Sequence, residues 1–287
     1  MVEQVIAPNL ANEPIPPLVV LKPRIGWGGL GFDQLWKYRE LLYFLAWRDV
    51  KVRYKQTLLG ISWAIIQPFM TMIVFSVVFG RLARIPSDGI PYPVFAFAAL
   101  VPWSFFSSAM GSSANSLVSS SSLLSKVYFP RLIIPVASVL PGLIDFGIAF
   151  VILLGMIIFY GIAPTWSILA LPLLVALTLL IALGVGLWAS ALNVKYRDMR
   201  YAIPFITQLW LFATPVAYPS SLLDETWRTV YALNPMVSVV EGFRAALLGR
   251  PMPTPAMFAV SGLIAALLFA TGIYYFRRTE RYFADII

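Results

Sequence analysis

Hydrophobic and polar positions along this chain are segregated into blocks instead of interleaved. Runs without a single Asp, Glu, Lys or Arg occupy 56–80, 89–125, 146–194, 201–223 and 251–276. Each is long enough for the ~20 apolar residues of a membrane-spanning helix, and no soluble fold accounts for that spacing. The run 146–194 is divided by Gly161, Pro164 and Thr165, which predict a short turn between two hairpin helices. The pattern therefore predicts six spans, near 57–80, 93–118, 132–159, 168–192, 201–217 and 254–276. The fold class expected is an all-α integral membrane protein with six transmembrane helices, its spanning domain covering 57–276.

The flanking segments carry a different pattern. Residues 34–56 alternate with helical period: Tyr38, Leu41, Leu42 and Leu45 share one face, and Lys37, Glu40, Arg48, Lys51 and Lys55 share the other. With six basic and two acidic residues between 36 and 55, this predicts an N-terminal cytosolic amphipathic helix lying in the interface of an anionic leaflet. It serves either as a plain anchor or as a moving part. Residues 218–250 form two short amphipathic pieces interrupted by Asn234–Pro235, each too short to span and each with a spaced charge pair, Glu225/Arg228 and Glu241/Arg244. They predict an external re-entrant helical hairpin. Residues 1–33, with Pro8, Pro14, Pro16, Pro17 and Pro23 and no apolar stretch, predict a disordered cytosolic tail and no cleavable signal peptide. Residues 277–287 predict a second cytosolic tail.

Composition sharpens this picture. The chain is 60% hydrophobic and only 12% charged, where a soluble domain carries roughly 25%. The net charge of +8 is explained by the basic residues beside the spans, not by a nucleic-acid partner. Eight Lys and Arg precede the first span, with two at 126–131, three at 195–200 and three at 277–281, so that sixteen of the 21 lie on one side. That bias places both termini in the cytosol. Cys and His are both absent, removing disulfides, thiol nucleophiles and the commonest metal ligand. No Gly-Lys pair exists, so a Walker-type phosphate cradle is excluded. The chain is expected to be no enzyme and to hold no cofactor or metal.

Several residues stand out within the spans. Asp145 is an intramembrane acid, which suits a proton or cation relay; without a second acid nearby it also suits a hydrogen-bonded helix contact or a wet cavity. Ser104, Ser108, Ser112, Ser116 and Ser120 recur at i, i+4 and serve either close helix packing or a polar wall for a hydroxyl-rich substrate. Aromatics such as Trp63, Phe69, Trp210, Phe212 and Tyr218 fit interfacial belts, or stacking on the apolar faces of sugar rings. The cytosolic loop SKVYFPRLIIP (125–135) is basic, aromatic and broken by Pro130; it is either a turn or a knob that docks on another protein.

Four segments go beyond these generic features: RDVKVRYKQTLLGISWAIIQP (48–68), SKVYFPRLIIP (125–135), NVKYRDMRYAIP (193–204) and ALNPMVSVVEGFRAALLG (232–249). In that order they resemble the membrane (permease) subunit of type-2 ABC exporters, most closely the branch that exports O-antigen and related polysaccharides. The resemblance covers about residues 34–280 and implies a homodimer bound to two copies of a separate cytosolic ATPase, which would hold the ATP and Mg2+. It implies that the helix at 34–56 is a gate, with Trp47, Arg48, Lys51, Arg53 and Tyr54 among its working residues. Ser125, Lys126, Tyr128, Phe129, Pro130 and Arg131 would couple to the ATPase. Trp63, Phe69, Trp210, Phe212 and Tyr218 would line the channel, with Ser104, Ser108 and Ser112 as its polar wall. The expected substrate is a lipid-linked polysaccharide crossing the bacterial inner membrane. A teichoic-acid-like polymer, a lipid or a drug is the alternative within the class, and a self-contained ion-coupled carrier the alternative outside it.

Overall fold

The computed structural model describes residues 32–55, 62–124, 126–127, 129–163, 165–196 and 198–283. The expectation for the first tail falls almost wholly outside these residues, as do Ser125 and Tyr128 of the loop. The described residues are helical and contain no strand. In order they form α1 (Phe32–Lys37), α2 (Arg39–Lys55), α3 (Ser62–Phe75, continued by a π-helical turn Ser76–Leu82), α4 (Tyr92–Ser119), α5 (Ser121–Leu124), α6 (Ile133–Val139) and α7 (Pro141–Phe159). A 3-10 turn, Trp166–Ala170, leads into α8 (Leu171–Lys195), followed by α9 (Met199–Phe212), α10 (Glu225–Tyr231), α11 (Pro235–Leu248) and α12 (Pro255–Thr279), with a last 3-10 turn at Glu280–Tyr282.

Five of these are long and apolar enough to cross a bilayer: Ser62–Leu82, Tyr92–Ser119, Ile133–Phe159, Trp166–Lys195 and Pro255–Thr279. They coincide with five of the six expected spans. The other, expected at 201–217, is the 14-residue α9. At 1.5 Å per residue it reaches about 21 Å, short of a hydrocarbon core of ~30 Å, and the chain continues through turns at 213–218. The amphipathic helix expected at 34–56 is α1 and α2, interrupted at Tyr38.

Local chemistry sets the ends of these helices. The Asn234 side chain accepts from the Met236 amide at 3.1 Å, and Thr254 from the Met257 amide at 3.4 Å. Both caps are followed by proline at the first helical position, where its missing N–H costs nothing. Gly249 ends α11 with φ +68, a conformation that disfavours any side chain.

Packing divides the helices into a centre and a periphery. In α4, 78% of the most apolar stretch is buried, against 17% in the first span. Helix α8 lies between α4 and α12. Gly184 and Gly186 are two residues apart, hence about 200° around the helix, so they face opposite neighbours. A Cβ on Gly184 would lie 2.7 Å from the Phe269 amide nitrogen of α12, and one on Gly186 2.6 Å from Ser113 of α4. Across the same crossing, a Cβ on Gly272 would overlap the Gly184 carbonyl oxygen. These glycines let backbones touch, as small residues do between membrane helices. Gly272→Val is expected to force α8 and α12 apart and lower the thermal midpoint of the detergent-purified protein by several degrees; Gly155→Val, where a Cβ meets nothing within 4 Å, is the control and leaves it unchanged.

Helix α11 is buried along nearly its whole length and packs against α4, α8 and α12. In contrast α9 buries only Ile203, and α3 leaves Trp63, Phe69, Met70 and Val74 exposed. The chain thus presents large apolar faces on α3 and α9 around a close-packed centre.

Candidate functional site

The polar residues singled out along the sequence converge at the inner end of α2. Arg53 donates from Nη1 to Asp145 Oδ2 at 2.5 Å, and Tyr54 donates to the other carboxylate oxygen. Arg53 Nη2 also reaches Ser108 Oγ of α4 at 3.5 Å. Burial and then the adjacent Asp145 push the Tyr54 phenol well above its usual pKa, which keeps it a proton donor to the carboxylate. Asp145 lies about halfway along Ile133–Phe159 and Ser108 about halfway along Tyr92–Ser119. The basic end of α2 therefore reaches toward the middle of two spans, deeper than a helix resting wholly in the interface plane. Of the readings open for Asp145, the structure shows the helix contact: its carboxylate is engaged by two residues of α2.

The rest of α2 is held by apolar packing. Leu45 and Ala46 are buried, with Tyr38, Leu41 and Leu42 packed beside them, in a cluster that includes Phe129, Leu132, Ile133, Ile134, Phe276 and Phe283. The expected apolar face is thus covered by protein. The opposite face is more mixed than the sequence pattern predicts, because Tyr43, Phe44, Trp47 and Val52 are exposed among Arg48, Lys51 and Lys55. Lys51 sits over the Trp47 ring at 5.4 Å, and Arg48 pairs with Asp49 at 2.8 Å.

The serine stripe separates into two parts. Ser104, Ser108 and Ser112 are half-buried, whereas Ser116 and Ser120 are buried. Steps of four advance 400°, so the row drifts about 40° per step and turns into the core. Gly111 and Asn115 continue the accessible strip instead.

At the loop 125–131, Lys126 and Val127 are exposed, Pro130 and Arg131 are half-buried, and Phe129 is only 5% exposed. Phe129 therefore anchors the loop from within and is not itself a protruding ring. Arg131 donates its guanidinium to the Glu280 carbonyl, and its amide donates to Glu280 Oε1 at 3.4 Å. Burial pushes the Glu280 carboxyl up, and Arg131 and Arg277 oppose the shift.

The candidate channel aromatics do not share one environment. Trp63, Phe69 and Phe212 are exposed on the protomer. Trp210 is partly enclosed, packing edge-on against Phe106 with 5.0 Å between ring centroids, and its indole N–H donates to Asn234 Oδ1 at 2.8 Å. The Tyr218 hydroxyl is tied to Tyr231 at 2.6 Å and to the Phe212 carbonyl at 2.9 Å.

Arg244 is the second member of the spaced charge pair Glu241/Arg244. The Glu241 contact exists at 3.1 Å, but Arg244 is 2% exposed. Its guanidinium also donates to the carbonyls of Phe95, Pro215, Val216 and Tyr218 and lies 3.6 Å from the Phe95 ring centre. An arginine inside an otherwise apolar helix was the available signal. Glu280 and Phe283, placed in a featureless tail, left no comparable signal. Among the described residues no group of three or more Asp or Glu side chains is arranged to hold a metal ion.

These features define a multi-pass helical membrane protein whose polar contacts tie an amphipathic helix and a short loop to a close-packed helical centre. The sequence matches the ABC-2 type transporter family over residues 40–248. It is similar to the O-antigen export system permease protein RfbA of Myxococcus xanthus, 34% identical over 259 residues, covering 88% of this chain and 98% of the relative. RfbA of Klebsiella pneumoniae is 25% identical over 249 residues, covering 86% of this chain and 95% of the relative. The polysialic acid transport protein KpsM of Escherichia coli is 24% identical over 213 residues, covering 70% and 78%. The chain belongs to the ABC-2 type transporter family.

Proposed function

We propose that this chain is the transmembrane subunit of an ATP-driven transporter that exports a lipid-linked, O-antigen-like polysaccharide across the bacterial inner membrane. The observation that carries this reading is the similarity to an O-antigen export permease along 98% of that relative's length. In this reading α9 and the turns after it make the sixth crossing, α10 and α11 form the external re-entrant hairpin, and both termini are cytosolic. The burial of α11 supports the hairpin, since backbone entering the bilayer from one side must be covered by protein.

Two copies would form the channel, their unpartnered α3 and α9 faces meeting around it. Trp63, Phe69 and Phe212 are exposed there to line a path for sugar rings. The α4 strip of Ser104, Ser108 and Ser112 supplies hydroxyls beside the Arg53–Asp145 pair. ATP and Mg2+ belong to two copies of a separate cytosolic ATPase that engages the loop 125–131, and no nucleic acid is involved. Helix α2 is the gate through which the lipid-linked end reaches the channel.

The similarity to the polysialic acid transport protein supports a second reading in which the polymer is acidic. Depleting the protein and locating the cell's long glycans tests both. Loss from the surface with internal accumulation is expected, and the charge of the trapped polymer separates the two. Unchanged glycans on both sides of the membrane would overturn both.

A direct test of coupling is Arg131→Ala combined with Phe129→Ala. Export is expected to fall by about tenfold, a loss within the range of 0.5–2 kcal/mol typical of coupling networks, while the partner ATPase still binds and hydrolyses ATP. Normal surface glycan in that variant sinks the coupling role.

A further inference from the structure

We propose that the C-terminal hook at 280–283 is a positioning element for coupling, fixing the loop 125–131 to the gate helix α2 so that the two move as one body. The inference rests on the coupling and gating roles proposed above, and the observations behind it are independent of the family resemblance.

The hook joins the loop through two crossed contacts. Glu280 gives its carboxylate to the Arg131 main-chain amide, and Arg131 gives its guanidinium to the Glu280 carbonyl. Each side chain satisfies the other residue's backbone, so neither contact survives if the two segments separate. Three residues on, Phe283 is 1% exposed and packs edge-on against Phe276 of α12, 5.4 Å between ring centroids. It lies in the same apolar cluster as Phe129 and Leu132 of the loop region and Leu45 and Ala46 of α2.

A phenylalanine buried to this degree four residues beyond a spanning helix is not a property of a solvated tail. Beyond Thr279 the chain continues helically through the 3-10 turn Glu280–Tyr282, which carries Phe283 into the protein interior. Lys126 and Val127 remain exposed on the loop's far side, where force would be applied. Arg131 is bonded to the hook, and the buried residues of α2, Leu45 and Ala46, lie in the same cluster as Phe283. Force on the loop is then transmitted through close-packed side chains, which shift between discrete arrangements and do not deform smoothly.

The test uses the assembled complex with its ATPase in membranes, comparing Phe283→Ala, Phe283→Leu, Glu280→Ala and Arg131→Ala. Phe283→Ala is expected to lower export about tenfold with ATP hydrolysis within about twofold of the parent, Phe283→Leu to restore most of it, and Glu280→Ala to lose about threefold. Hydrolysis without export marks lost coupling, a readout that loss of fold does not produce. If Phe283→Ala disrupts assembly, Glu280→Ala decides the matter. Export and hydrolysis that fall together in Glu280→Ala, or export unchanged in both hook variants, overturn the inference. Arg131→Ala separates the levels. An uncoupled Arg131→Ala beside normal hook variants removes the hook alone, and a normal Arg131→Ala removes the loop's role and the hook's with it.

Discussion

Arg244→Ala is expected to lose the packing of α11 and the turns at 213–218 as an ordered unit. The guanidinium is 2% exposed and supplies donors to the carbonyls of Pro215 at 2.6 Å, Val216 at 2.7 Å, Phe95 at 3.3 Å and Tyr218 at 3.3 Å, besides the Glu241 carboxylate. The segment 213–218 is built of turns, and removing the arginine takes the guanidinium donor from the carbonyls of Pro215, Val216 and Tyr218 and leaves the Glu241 carboxylate with the Ser220 amide. Breaking a buried charge pair in this way costs about 3–5 kcal/mol. The same substitution removes the guanidinium shared by the Tyr218 and Phe95 carbonyls, so the turn and the start of α4 loosen against each other, with the bond from the Tyr92 hydroxyl to the Ala217 carbonyl left between them. Tryptophan fluorescence on heating should show a midpoint lower by roughly 10 °C. Arg244→Lys should recover little, because one ammonium cannot reach carbonyls spread around a planar fork. An unchanged midpoint in Arg244→Ala would mean that the network contributes nothing to stability.

The second large effect is expected at the inner end of α2. Asp145→Leu leaves Arg53 without its carboxylate near the middle of the spans, where an unpaired charge costs about 2.5–3.5 kcal/mol. Export should fall by at least about tenfold, and Arg53→Leu should fall comparably. Exchanging the two residues, Arg53→Asp with Asp145→Arg, should regain a substantial part of the activity, because the pair is restored with its direction reversed. A swap no better than either single variant would show that the contact does not act as a pair. Asp145→Asn, which still accepts from Tyr54 and Arg53, should retain roughly a third of the activity. A proton or cation relay through this carboxylate predicts complete loss in Asp145→Asn, so this one variant divides the two mechanisms.

The helical layout was legible because charge is excluded from bilayer-length runs, and that exclusion survives any detail of packing. Where tertiary contacts decide, the sequence pattern fails in identifiable ways. The run 201–223 looks like an ordinary span, yet α9 stops at Phe212, where Asn234 takes the Ala213 carbonyl at 2.9 Å and Arg244 takes the carbonyls from Pro215 on. Those partners lie some twenty to thirty residues downstream, and no local propensity encodes them. Asp145 was recognisable as anomalous, but its partners Arg53 and Tyr54 are more than ninety positions away. Helix α2 looked two-faced on a helical wheel; in the fold its outward side carries Tyr43, Phe44 and Trp47 among the cations, so the pattern named the buried face correctly and the other only in part. Gly184 and Gly272 carry no signal in isolation, since their meaning is the crossing they permit.

That crossing has a mechanical consequence. With backbones in contact across α4, α8 and α12, the protomer has a stiff frame, and displacement must be taken up at its margin. Helix α2 is attached to that frame at two places, near Leu45–Ala46 and at Arg53–Tyr54. If the second is the fulcrum, the load enters about 12 Å away and the start of the helix at Arg39 lies about 21 Å away. A shift of 1 Å delivered at Leu45 then becomes nearly 2 Å at Arg39, so the helix is a lever that amplifies a small displacement along its length.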